Sequence, residues 1–63
     1  MRGNVVKRVG DFRIFEELDE KGDVVGFTVV SPDGTVSSVF LTLDEAIAHA
    51  TKLHKVYDAG LTF

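Results

Sequence analysis

The sequence predicts an α+β domain: a three-stranded antiparallel meander, with a fourth strand as its main variant, and one C-terminal helix packed on one face. Three observations predict it. Short runs rich in Val, Phe, Ile and Thr recur between Phe12 and Leu41. Gly and Pro-Asp-Gly turn signals separate those runs at hairpin spacing. A capping box, Thr42-Leu43-Asp44-Glu45, then opens an apolar stripe with helical period.

The elements follow in chain order. Residues 5 to 9, Val-Val-Lys-Arg-Val, read as a short extra strand or an ordered arm. Residues 11 to 18 read as a strand, with Phe12 and Ile14 on one face and Phe15 on the other. Asp19 to Asp23 is a polar hairpin loop in which Gly22 can take a positive φ. Residues 24 to 31 are the most strand-like run: Val25, Phe27 and Val29 share one face, and Val24, Thr28 and Val30 the other. Ser31-Pro32-Asp33-Gly34 is a turn, since Pro presets φ and Gly accepts the left-handed position. Residues 35 to 41 return as a strand.

The helix spans residues 43 to 57. Thr42 can accept the Glu45 amide hydrogen and Glu45 can reach back, while Leu41 can staple onto Ala46. Asp44 and Glu45 suit the positive end of the helix dipole, and Lys52 and Lys55 the negative end. Leu43, Ala46, Ile47, Ala50, Leu53, His54 and Tyr57 line one stripe. Gly60 is a stop, and residues 59–63 form an apolar tail that can fold back on the core.

Sixty-three residues make a single domain, residues 1–63, with a core too small to leave much stability in reserve. Hydrophobic residues are 44% of the chain and charged residues 27%, which excludes intrinsic disorder. There is no Cys, so disulfides, thiolate metal sites and thiol catalysis are excluded. No segment is long or apolar enough to span a bilayer, and the first eight residues lack the apolar block of a signal peptide. The chain is therefore expected to be soluble and cytoplasmic.

Ten acids against seven bases give a net charge of −3, which disfavours direct nucleic-acid binding as a general property. The charge is unevenly placed. Residues 16 to 23 hold five acids, Glu16, Glu17, Asp19, Glu20 and Asp23, with one base. Arg2, Lys7, Arg8 and Arg13 lie just before them. A charge run is usually a solvated loop. Clustered carboxylates on a hairpin can also imitate nucleic-acid phosphates and enter the basic groove of a nucleic-acid-handling protein. The five acids are the candidate partner-binding residues.

No catalytic constellation is legible, and no enzyme activity is expected. His49 and His54 are five apart on a helix, so a shared metal is not expected; His49 should face solvent and His54 should lie beside the stripe. Ser31, Ser37 and Ser38 have no base placed beside them by motif. Glu16-Glu17 and Asp44-Glu45 have structural explanations as hairpin and cap. No cofactor loop is present. Val24, Val30 and Phe15 should remain on the sheet face without the helix, which admits a homodimer or a protein partner there.

Phe27 to Gly34, Phe40 and the run Thr42-Leu43-Asp44-Glu45-Ala46-Ile47-Ala48-His49-Ala50 resemble the N-terminal part of HicB-type antitoxins. They are also similar to small bacterial strand–strand–strand–helix proteins, and the arm-binding domain of phage integrases shares the layout. The resemblance implies toxin or DNA binding, with Lys7, Arg8 and Arg13 as the DNA contacts. The Leu-Pro-Gly segment of the antitoxins is missing after Pro32-Asp33, as is their C-terminal DNA-binding region. By size and charge the chain also resembles the small inhibitors of phages and mobile elements, anti-CRISPR proteins among them, which implies the cytoplasm of a bacterial host cell. The leading expectation is a non-enzymatic inhibitor that binds a host nucleic-acid-binding complex through its acidic surface; the antitoxin-like or integrase-arm-like module is the alternative.

Overall fold

The computed structural model describes residues 1–35 and 37–58, with side chains in the helix through Val56. Strands β1 (Arg2–Val9), β2 (Phe12–Leu18), β3 (Val24–Val30) and β4 (Ser37–Phe40) precede helix α1 (Leu43–Asp58). The strands pair antiparallel in chain order, β1-β2-β3-β4. The expected meander and helix are both present, and the N-terminal segment is a full fourth strand rather than an arm. Register shifts fall on both sides of Val5, between Arg2 and Val5 and between Val5 and Lys7. Such bulges break strict alternation, which is why Val5, Val6 and Val9 do not read as one face.

The register sorts the side chains. Ile14 lies opposite Val29 and Glu16 opposite Phe27, and Phe27 lies opposite Phe40. This is the face that α1 covers. Ala46 and Ala50 are fully buried on it, together with Phe12, Ile14 and Val29. Their four-residue spacing stacks the two methyl groups along one line of the helix, and their small size lets the helix axis approach the sheet. Leu43, Ile47 and Leu53 flank them, partly buried against the same cluster. The burial of these apolar side chains is the main favourable term holding helix to sheet.

The opposite face carries no described helix. One row on it runs Val5–Phe15–Thr28–Val39 across all four strands, and a second runs Arg8–Arg13–Val30–Ser37. The expectation for this face is met in part. Val24 is half exposed and Phe15 half buried, but Val30 is only 6% exposed. It sits on an interior strand with Arg13 and Ser37 on either side, so its methyl groups are shielded.

Local chemistry closes the ends. The Thr42 hydroxyl accepts the Glu45 amide hydrogen at 3.2 Å and donates to Glu45 Oε1 at 3.0 Å. The cap is thus Thr42, although the Glu45 carboxylate meets the hydroxyl rather than the backbone. Leu41 does not staple the helix: it is 81% exposed, because the sheet already occupies the buried side of Ala46. The Gly34 amide donates to the Ser31 carbonyl at 3.0 Å, closing the Ser-Pro-Asp-Gly turn with Gly34 at φ 77°. Gly10 turns β1 into β2 at φ 57°, and a β-carbon there would run into the His54 ring. The expected apolar tail, residues 59–63, lies outside the described residues.

Candidate functional site

The acidic hairpin joins β2 to β3, and its loop is braced by its own hydrogen bonds. Asp19 Oδ1 accepts the amide hydrogens of Lys21 at 2.8 Å and Asp23 at 2.9 Å. The Asp19 amide donates to the Asp23 carbonyl at 2.9 Å, and the Gly22 amide donates to the Asp19 carbonyl at 3.1 Å. Gly22 has φ 86°, which glycine adopts without strain. The side chain of Asp19 is therefore a structural part of the loop.

The five candidate acids divide by location. Glu16 and Glu17 are consecutive on a strand, so they point to opposite faces. Glu16 Oε1 accepts the Asn4 amide hydrogen at 3.3 Å, across the β1 bulge. Glu17 Oε1 accepts the Thr28 hydroxyl hydrogen at 2.6 Å and lies 3.7 Å from Arg2 Nε. Thr28 is 2% exposed, so this hydrogen bond satisfies a buried hydroxyl. Glu20 and Asp23 are exposed, with no side-chain partner among the described residues. The structure thus brings Asp19, Glu20 and Asp23 together on the loop and sends Glu16 and Glu17 into the β1–β2–β3 ladder.

Beside the loop lies a recess of about 440 Å³ lined by Met1, Leu18, Asp19, Glu20 and Lys21. Its floor is held by a two-way backbone pair: the Met1 amino nitrogen donates to the Leu18 carbonyl at 2.8 Å, and the Leu18 amide to the Met1 carbonyl at 2.7 Å. Met1 and Leu18 offer apolar wall, and Asp19 and Glu20 offer carboxylate rim. The Lys21 side chain and the Met1 amino group stand beside these carboxylates, so the recess carries charge of both signs.

The remaining candidates have structural partners. His49 is half buried rather than solvent-facing, with its ring 4.9 Å from Phe40 and tilted by 46°. It shares the β4 side of the helix, where Phe40 reaches it. His54 is half buried at Gly10. Ser31 is fully buried and donates to Asp33 Oδ1 at 2.7 Å. The same Asp33 oxygen accepts the Thr35 amide at 3.1 Å and the Thr35 hydroxyl at 2.8 Å. The Ser31 bond first, then those from Thr35, hold the Asp33 carboxyl down at about 2. Among the described residues no group of three His, Cys, Asp or Glu side chains could hold a metal ion, and no helix is long and apolar enough to cross a membrane.

The cations named for DNA contact also separate. Lys7 lies opposite Ile14, on the helix side of the sheet, whereas Arg8 and Arg13 face each other on the open side. Arg2 joins them through Phe15: its guanidinium carbon is 4.8 Å from the ring centre and that of Arg13 5.7 Å. This grouping is absent from any linear motif. Its signal is the two-residue Gly10-Asp11 turn, which pairs positions equidistant from it once residues 2 to 9 are recognised as a strand. No protein-family model, curated protein or solved structure matches the chain.

Proposed function

We propose that the chain is a non-enzymatic protein-binding module that occupies a basic, nucleic-acid-handling surface of its partner with the acidic β2–β3 hairpin, in the manner of small mobile-element inhibitors acting in a bacterial cytoplasm. The observation that carries this reading is the braced loop. Asp19 spends one oxygen on the turn, and the turn then presents the Glu20 and Asp23 carboxylates, which have no partner among the described residues. A pre-ordered loop loses little conformational entropy on docking.

The test is capture of a partner on the immobilised chain from bacterial lysate, repeated with Glu20→Lys/Asp23→Lys. Both side chains are exposed, so the double variant should keep its melting midpoint within the range of ordinary surface changes, about 0.5 kcal/mol. The expected result is a nucleic-acid-binding protein held by wild type, lost by the variant, and displaced by its own nucleic acid. A partner held equally by both chains overturns the hairpin as the docking surface.

A further inference from the structure

The open face of the sheet brings two like charges together with no carboxylate against either among the described residues. Arg8 and Arg13 are directly opposed across β1 and β2. Like charges in that position repel. The chain has ten carboxylates to seven basic side chains, yet neither arginine meets a carboxylate among the described residues. The one ion pair there joins Arg2 to Glu17, at 3.7 Å. Nor do the guanidinium N–H groups of Arg8 and Arg13 have hydrogen-bond partners among those residues. Phe15 sits beneath the guanidiniums of Arg2 and Arg13, an attraction between cation and ring that holds both against the sheet.

We propose that Arg8 and Arg13, joined by Arg2 as it exchanges its Glu17 ion pair for phosphate, form a docking face for the phosphodiester backbone of a nucleic acid. The chemistry favours phosphate over other anions. Guanidinium forks donate paired N–H bonds to phosphate oxygens. Three of them on neighbouring strands match a row of charges rather than a single ion. The face offers no exposed aromatic anchor of the kind a protein interface centres on, since the Phe15 ring is already occupied by two cations. Backbone phosphates need no such anchor, because release of their condensed counterions supplies the binding free energy. Of the acids on this side, Glu20 and Asp23 lie on the loop at the other end of β2 from Arg13, and Glu17 stands on the face itself, next to Arg2. Arg8 and Arg13 form the cationic end of β2, which orients the chain on a polyanion with the acidic hairpin at the far end and Arg2 between the two.

The site is independent of the hairpin, and the experiment separates the two. A fluorescein-labelled single strand and a duplex, each of about 20 nucleotides or base pairs, are titrated with the full chain from 50 to 200 mM salt, followed by anisotropy. Three phosphate contacts on duplex predict a slope of about −2.7 in log K against log salt, a loss of about 40-fold over that range. Arg8→Gln/Arg13→Gln should reduce the slope to about −0.9. Its melting midpoint should stay or rise, since a repulsion has been removed. Arg8→Lys/Arg13→Lys keeps the charges and should keep the slope. Glu20→Lys/Asp23→Lys should leave the arginine-dependent part of the slope in place while losing the protein partner. Absence of binding to either oligonucleotide at 50 mM salt overturns the proposal. So does a slope that the glutamine variant does not change, or displacement of the oligonucleotide by inorganic phosphate at an equal concentration of phosphate groups, which would mark a single-anion site.

Discussion

The two faces of this sheet are built on different principles. The helix-covered face is closed by shape: Phe12, Ile14 and Val29 meet the methyl groups of Ala46 and Ala50, and all five are at most 2% exposed. The open face is held by polar and aromatic contacts, with Glu17 bonded to Thr28 and Phe15 between Arg2 and Arg13. β2 and β3 supply both, because side chains alternate along each strand. The difference teaches where substitutions will be felt. On one side the chain has no spare volume; on the other it has few but specific hydrogen bonds, and room for a partner.

The largest contrast is a carboxylate placed on each face in turn. Ala50→Asp puts an unpaired charge at a fully buried position, so cooperative unfolding in urea should vanish. Val39→Asp, on the open face at 67% exposure, should shift the midpoint by no more than about 0.5 kcal/mol. Equal effects would dissolve the distinction between the faces. A smaller effect tests the polar hold. Glu17→Ala leaves the Thr28 hydroxyl buried without its acceptor and should cost about 1–3 kcal/mol by urea unfolding. Adding Thr28→Val should return part of that loss, because the orphaned hydroxyl is then gone.

The smallest effect lies at the turn where β3 leaves the sheet. Asp33 titrates at about 2 in the folded chain, against 3.8 for an unperturbed carboxyl. A lowered folded value means that its contribution is complete above pH 4 and is lost as pH falls toward 2. Carbon-detected NMR of the Asp33 carboxyl should show the low midpoint. Asp33→Asn should flatten the loss of stability between pH 4 and 2. The carboxyl is solvent-exposed, so the change is small.

Much of this architecture is legible in the residue order. Thr42 to Glu45 marks the helix start because a hydroxyl three residues before a carboxylate suits the first-turn geometry, and Pro32-Asp33-Gly34 marks its turn by dihedral preference alone. The alternation of Phe12, Ile14 and Phe15 assigns faces on β2. Bulges hide β1, since an extra residue on either side of Val5 inverts the pattern that periodicity relies on. What depends on cross-strand register was out of reach with it: Glu17 meeting Thr28 eleven residues away, and Arg8 meeting Arg13. The division of the five acids follows in part from alternation, since Glu16 and Glu17 must diverge. The capture of an Asp19 oxygen by its own loop needed the loop's geometry.

The strand order equals the chain order, with five residues between β2 and β3. That fact bears on how the molecule reaches its native state. Every strand pairs with one it has just left, so each hairpin closes a short loop, and no pairing must wait for a distant segment to arrive. Folding should be fast for a sheet protein. The tolerance extends to length as well as speed. Doubling the Asp19–Asp23 connection adds about 0.6 kcal/mol of closure entropy, on top of the loss of the bonds with which Asp19 braces the present loop. Sequence inserted at the tip of this hairpin should therefore leave the sheet behind it assembling by the same short steps, while dissolving the order of the loop itself.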